Sequence, residues 1–167
     1  MARKVLSILS SCGIGLFVVT AMAADLPKEG TFSGTCTGLG TFKTTKIGDD
    51  RALVTFDETG AQLTNGFADH TTFHCWGTVE ITKGERITEG YCVGTDPTGD
   101  LLEVKVSAKN ALSNTVRKGS NTFIGGSGKY AGISGAIATT NHEREFRPLT
   151  DGTYVSYVTL EGNYKLP

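Results

Sequence analysis

Alternation of apolar and polar residues with a period of two, broken by glycines, recurs along the sequence after residue 23, and no segment has helical periodicity. The clearest case is the segment 101–108, where Leu102, Val104, Val106 and Ala108 alternate with polar or charged residues. The chain has 22 glycines, about twice the usual ~7% share, which favours tight turns and corners between strands. The sequence therefore predicts an all-β protein.

About eight strands are expected, joined mostly by short turns. They are assigned to residues 31–46 (one bent strand or a strand pair), 52–57, 69–82, 85–96, 101–108, 115–125, 133–140 and 153–165. Consecutive hairpins favour a single antiparallel, mostly meander β-barrel, with a β-sandwich as the alternative. The segments 30–34 and 152–156 are expected to pair and close the barrel. An eight-stranded barrel is either filled by side chains or holds one small ligand.

Two cysteines lie where a single hairpin would bring them together. Lys83-Gly84 has the residue types of a two-residue turn between two strands. If the residues flanking this turn face each other, Cys75 faces Cys92 at a non-hydrogen-bonded pair, where Cα atoms approach to ~4.5 Å. The sequence therefore predicts a Cys75–Cys92 disulfide and leaves Cys36 as an unpaired thiol.

Residues 1–23 have the organisation of a secretory signal peptide. A short basic start precedes an apolar run at 5–20, and Ala21-Met22-Ala23 is the small-x-small pattern after which signal peptidase cuts. The apolar run is shorter than the ~20 residues that a membrane-spanning helix needs. We expect residues 24–167 to form one exported domain, periplasmic or secreted, with no membrane insertion after cleavage. A lipobox-like sequence ending at Cys12 is the alternative, but most of the apolar run follows it.

Charge and short motifs exclude several function classes. The 16 basic and 17 acidic residues are interspersed, so no basic stripe predicts binding to nucleic acid. Residues 126–131 fit a relaxed G-x-G-x-x-A pattern, but no helix is expected after them to face a pyrophosphate. His70 and His74 would lie ~13 Å apart on a strand, too far to share a metal. No cofactor and no metal site is predicted.

One face of the strand at 69–82 is polar and aromatic. It carries His70, His74 and Trp76, and the predicted register places Tyr91 opposite Trp76. Alternation alone does not say whether this face lines the barrel interior. If it does, these four residues would bind a ligand and His74 is a candidate catalytic group. If it does not, they form an aromatic cluster on the outside of the hairpin.

The densest cluster of charges lies at residues 141–147. A carboxylate inside a barrel can have a raised pKa and act as a general base, which makes Glu143 the second candidate catalytic group. The alternative is a solvated strand end, and Pro148 directly after the cluster favours a position at the rim.

The glycine-rich run at 123–135, FIGGSGKYAGISG, resembles a corner of the allene oxide cyclase/dirigent-like β-barrel superfamily, and LEGNY at 160–164 is similar to closing strands there. Residues 69–77 and 90–93 resemble a group of uncharacterised exported bacterial proteins. The resemblance implies a barrel. It assigns no site residue, because the active-site residues of the cyclases have no position-by-position match here.

Three functions remain open at this point. The first is an exported small β-barrel that binds a small, largely apolar molecule, which predicts an apolar cavity without a paired acid and base. The second is an allene oxide cyclase/dirigent-like isomerase or cyclase, which predicts a cavity containing His74 or Glu143. The third is a structural protein with a filled barrel. Whether the protein is an enzyme is left undecided by the sequence.

Overall fold

The computed structural model describes residues 26–142, 147–150 and 152–167, so the predicted signal peptide and Glu143 lie outside the described residues. The described residues form nine strands and one short 3-10 turn, Gly128–Tyr130. The strands are β1 (Glu29–Gly48), β2 (Arg51–Thr64), β3 (Thr71–Thr82), β4 (Glu85–Thr95), β5 (Leu101–Ala111), β6 (Val116–Gly126), β7 (Ser134–His142), β8 (Arg147–Thr150) and β9 (Thr153–Lys165). Within these residues no helix is long and apolar enough to cross a membrane.

The strands form a closed antiparallel barrel with meander order. Each of β1 to β6 pairs with the next strand, β7 pairs with β9, and β9 pairs with β1, while the short β8 lies beside β9. The predicted meander barrel is confirmed, and the β-sandwich alternative is wrong.

The predicted register of closure is wrong, although β1 and β9 do close the barrel. Gly30 pairs with Tyr164 and Thr41 pairs with Thr153, so the segments 30–34 and 152–156 lie at opposite ends of this ladder. The reason is that the two strands are antiparallel, so the start of β1 faces the end of β9.

Strand β2 is longer than predicted. The sequence Glu58-Thr59-Gly60 was expected to end the strand near residue 57, yet β2 continues to Thr64. Gly60 faces inward, where a Cβ atom would overlap the carbonyl oxygen of Thr37 and lie 2.5 Å from the ring of Phe73. This glycine therefore permits close packing inside the barrel and does not mark a turn.

The β3–β4 hairpin has the predicted register. Cys75 pairs with Cys92, and the two form a disulfide with Cα atoms 4.0 Å apart. Lys83 and Gly84 both have positive φ, 48° and 78°, as a type I′ turn requires. The predicted disulfide is confirmed, and Cys36 is a free thiol, as expected.

One end of the barrel interior is filled by apolar side chains. We call it the packed end; it is the end with the loops 65–70, 96–100 and 127–133. Phe67 from the first of these loops stacks on Tyr164 with ring centroids 3.9 Å apart. The cluster consists of Phe32, Phe67, Ala68, Leu102, Phe123, Tyr130, Ile133, Ile137, Leu160, Tyr164 and Leu166. The glycine-rich segment after β6 is a corner over this cluster, as the sequence predicts.

A buried carboxylate fastens two loops of the packed end. The side chain of Asp96 is 1% exposed and forms an ion pair with Lys129. It also accepts hydrogen bonds from the N–H and O–H of Thr98, the N–H of Asp100 and the hydroxyl of Tyr130. Burial raises the pKa of Asp96, but Lys129 and the other donors outweigh it, so the pKa lies well below its ordinary value.

Candidate functional site

The other end of the barrel interior contains a cavity of about 380 Å³. We call it the cavity end; it is the end with the turns at 49–50, 83–84 and 112–115. A volume of this size falls within the range of small-molecule sites, roughly 300–1,000 Å³. Its apolar wall includes Phe42, Val54, Phe56, Phe73, Val79 and Val106, and the Cys75–Cys92 disulfide also lines it.

The cavity exists because the inward residues of several strands become small or polar toward this end. On β6, Phe123 belongs to the packed cluster, whereas Asn121, Gly119 and Arg117 line the cavity. On β5, Leu102 is buried in the cluster, whereas Ala108 lines the cavity. The same inward faces therefore supply too little volume to fill the cavity end.

A carboxylate inside the cavity is hydrogen-bonded across a neighbouring strand. Glu58 of β2 accepts from the hydroxyl of Tyr154 at 2.9 Å and from the hydroxyl of Ser156, both on β9. Strand β1 runs between them with Gly38 and Gly40 facing inward. A Cβ atom at Gly38 would overlap the Glu58 carboxylate, and one at Gly40 would lie 2.5 Å from the Tyr154 ring. The two glycines therefore let β2 and β9 side chains meet across β1.

The environment of Glu58 disfavours the ionised forms of Tyr154 and Cys36. Burial raises the pKa of Tyr154 well above its ordinary value, and the nearby Glu58 raises it further. Burial, followed by the charge of Glu58, raises the pKa of Cys36 to about 12. Cys36 lines the cavity as a protonated thiol at neutral pH, a poor nucleophile.

Two arginines line the cavity. Arg117 donates from Nη2 to Oδ1 of Asn141 at 3.1 Å. Arg86 follows the β3–β4 turn, and its Nε is buried with no hydrogen-bond partner within residues 26–142, 147–150 and 152–167. Among the residues that the structure describes, the lining is thus apolar with one carboxylate and two guanidinium groups.

The predicted polar and aromatic face of β3 lies on the outside of the barrel. Trp76 and Tyr91 are 40% and 47% exposed, and His74 is also exposed. The His74 and Trp76 rings are 5.1 Å apart, and Nε2 of His74 lies 3.0 Å from Oδ2 of Asp57. Of the two alternatives that alternation left open, the outer cluster is the one observed, so His74 does not line the cavity.

His70 lies apart from that cluster. It precedes β3, in the loop at the packed end, and has a positive φ of 55° with Nδ1 2.8 Å from Oδ2 of Asp69. The expectation that it shares the strand face of His74 is wrong, because β3 begins at Thr71. Ligand binding by His70, His74, Trp76 and Tyr91 stays a prediction, now for the outer surface.

The sequence analysis missed Glu58 and Arg86. A signal for each was present: Val54, Phe56 and Glu58 have the same parity on β2, so Glu58 shares the inward face once the strand is extended. Arg86 has the same parity as Cys92 on β4, and the disulfide lies inside the barrel.

Comparisons with known proteins give the fold and leave the function open. No protein-family model matches the sequence, and a search of curated proteins found no match. The structure is similar to that of the pterocarpan synthase dirigent protein GePTS1, with a TM-score of 0.54 and 12% identity. The similarity covers 97% of this chain and 100% of that chain. At this level of identity the likeness shows a dirigent-like β-barrel fold alone.

Proposed function

We propose that this protein is an exported barrel that binds a small, largely apolar molecule in the cavity. The observation that carries the proposal is the cavity itself, about 380 Å³ with apolar walls and a few polar groups, which is the usual make-up of a small-molecule site. The cavity does not fit the alternative of a filled structural barrel. The Cys75–Cys92 disulfide supports export, because such bonds persist in oxidising compartments.

The proposal is tested with an uncharged fluorescent probe. N-Phenylnaphthylamine is nearly dark in water and bright in an apolar site, and we expect saturable binding to the native protein. Ala108→Phe adds a ring to the cavity wall and should abolish or strongly weaken binding. Ser107→Phe is the matched control, because Ser107 is the exposed neighbour on the same strand.

The two variants separate binding in the cavity from binding to the surface. Loss of binding with Ala108→Phe and retention with Ser107→Phe would support the cavity as the site. If the native protein does not bind the probe, or if both variants bind it equally well, the proposed function is contradicted. Circular dichroism of each variant checks that the barrel remains folded.

A second candidate function is an isomerase or cyclase of the dirigent type. The observation that favours it is the Glu58–Tyr154 hydrogen bond inside the cavity, which places an acid and a hydroxyl beside any bound molecule. The dirigent-like fold is compatible with this function. His74 is on the outer surface, and Glu143 lies outside the described residues.

Binding and turnover can be told apart with whatever molecule copurifies. Native mass spectrometry of protein isolated from its own host would detect a bound compound, which can be re-added and followed by chromatography. An enzyme would convert it to an isomer with a different retention time, and Glu58→Gln would slow the conversion. Recovery of the compound unchanged by the native protein would leave binding as the function.

A further inference from the structure

Arg86 occupies a cavity position that is costly for a charged group. It lies between Ile81 and Asn110 in the ladder, and its side chain lines the cavity. Its Nε is buried and lacks a hydrogen-bond partner in the described part of the chain. A guanidinium group does not lose its proton, so the cost of burying it can be offset only by a partner.

The polar side chains beside Arg86 are engaged elsewhere. The amide of Asn110 donates to the carbonyl oxygen of Lys118 at 2.9 Å and accepts from its N–H at 3.0 Å. In the next strands, Oδ1 of Asn141 accepts from Arg117 at 3.1 Å. Neither amide oxygen accepts a hydrogen bond from Arg86 in the described part of the chain.

The cavity also lacks a carboxylate for Arg86 among the described residues. Glu58 is the one acidic side chain of the described lining, and its two oxygens accept from Tyr154 and Ser156. No ion pair joins Glu58 to Arg86 in the part of the chain that the structure describes. The described lining thus carries a positive charge that an anion from outside could balance.

We propose that Arg86 binds the carboxylate of an amphipathic organic acid whose apolar body occupies the cavity, an inference that rests on the proposed function. A guanidinium fork matches a carboxylate with two parallel hydrogen bonds. The guanidinium of Arg86 matches one carboxylate, and the apolar walls match a hydrocarbon or aromatic body. The ligand class is therefore a carboxylic acid with an apolar body.

The test compares two probes with the same aromatic body. N-Phenylnaphthylamine is uncharged, and anilinonaphthalenesulfonate adds one oxyanion that stands in for the carboxylate. We expect the native protein to bind the anionic probe about tenfold more tightly, the size of one charge-assisted hydrogen-bonded contact. Arg86→Gln should remove this preference, whereas Arg51→Gln, at an exposed ion pair with Glu80, should keep it.

The outcomes distinguish the inference from the function on which it rests. Failure of the native protein to bind the uncharged probe would contradict the proposed function. Binding of the uncharged probe with no preference for the anionic one, or a preference that survives in Arg86→Gln, would overturn the role of Arg86 alone.

A measurement on the native protein covers the case in which Arg86→Gln fails to fold. Decanoate, decanol and decyltrimethylammonium share one apolar chain and differ in charge, and each is added below its micelle concentration to displace bound N-phenylnaphthylamine. We expect decanoate to displace the probe at about one tenth of the decanol concentration, with the cation weakest. Equal displacement by all three would overturn the inference.

Discussion

The packed end and the cavity end are made by the same strands, yet their interiors are built in different ways. At the packed end, aromatic rings from strands and loops contact one another, as Phe67 does with Tyr164. At the cavity end, the described turns at 49–50, 83–84 and 112–115 supply no such rings, and the inward side chains are mixed small, polar and apolar groups. The same sheet therefore supports one filled interior and one open interior.

The difference suggests that one end of the barrel provides stability and the other end provides a binding site. Close packing stabilises a fold, whereas side chains that border a cavity lack contacts that they would make in a filled interior. The aromatic cluster and the buried Asp96 network both lie at the packed end. Glu58 and Arg86 lie at the other end, on the wall of an open cavity. The predictions below test whether stability and binding are separated in this way.

The largest expected effect is the loss of an aromatic ring from the packed end. Phe67→Ala should lower the free energy of unfolding by about 4 kcal/mol, because it removes a 5%-exposed ring from a close-packed cluster. Phe56→Ala, on the cavity wall, should cost about half as much, since its ring already borders open space. Urea unfolding measures both. Equal losses would mean that the two ends contribute alike.

Neutralising Asp96 should have the next largest effect. Asp96→Asn should lower the free energy of unfolding by about 3 kcal/mol, because Lys129 loses its buried partner and the hydrogen-bond donors lose a carboxylate. Asp57→Asn is the control: this carboxylate pairs with His74 on the surface and should contribute less than about 1 kcal/mol. Similar effects in both variants would show that the packed-end network does not stabilise the fold.

The contribution of Asp96 should depend on pH in a defined direction. Its pKa is lowered in the folded protein, so the stabilisation is fully present above the unfolded pKa of about 3.9. It is lost as the pH falls from there toward the folded pKa. Urea unfolding of the native protein and Asp96→Asn between pH 2 and 7 should therefore show a difference that is constant above about pH 5 and shrinks below about pH 4. A difference that grows below pH 4 would contradict the direction of the shift.

Removing the disulfide tests whether the cavity end depends on a covalent bond. The double variant Cys75→Ala/Cys92→Ala should lose about 2 to 3 kcal/mol, because the bond closes a loop with a sequence separation of 17 in the unfolded chain. The effect arises in the unfolded state, so hydrogen exchange should accelerate similarly at the slowest amides of both ends. Selective acceleration near the 83–84 turn would show instead that the bond holds the cavity end closed.

The sequence was sufficient for the fold wherever alternation or turn chemistry was unambiguous. The turn at Lys83-Gly84 set the register that pairs Cys75 with Cys92, and the clean alternation at 101–108 gave the inward face of β5. These features are local, since each depends on a few neighbouring residues. The closure of β1 on β9 is not local, and its predicted register was accordingly wrong.

The candidate site was harder to predict because it depends on which face of each strand is inside. Alternation separates two faces of β3 but does not tell which of them lies inside the barrel. The aromatic residues His74 and Trp76 are on the outer face. Glu58 was missed because the glycine two residues later resembled a turn, whereas it permits close packing between strands. Contacts across β1, such as Glu58 with Tyr154, join residues that share no sequence pattern.

The smallest expected effect comes from adding volume to the two ends of one strand. Val106→Trp at the cavity wall should change the free energy of unfolding by less than about 1 kcal/mol, because the cavity can accept the ring. Leu102→Trp, four residues away on the same inward face, should cost about 2 kcal/mol, because it overpacks a close-packed cluster. Replacing Val106 by tryptophan adds more volume than replacing Leu102 does. Side-chain size alone therefore predicts that Val106→Trp is the more destabilising of the two. Urea unfolding of both variants decides between the two explanations. A larger loss for Val106→Trp would mean that the cavity collapses around its walls in solution and that both ends are packed.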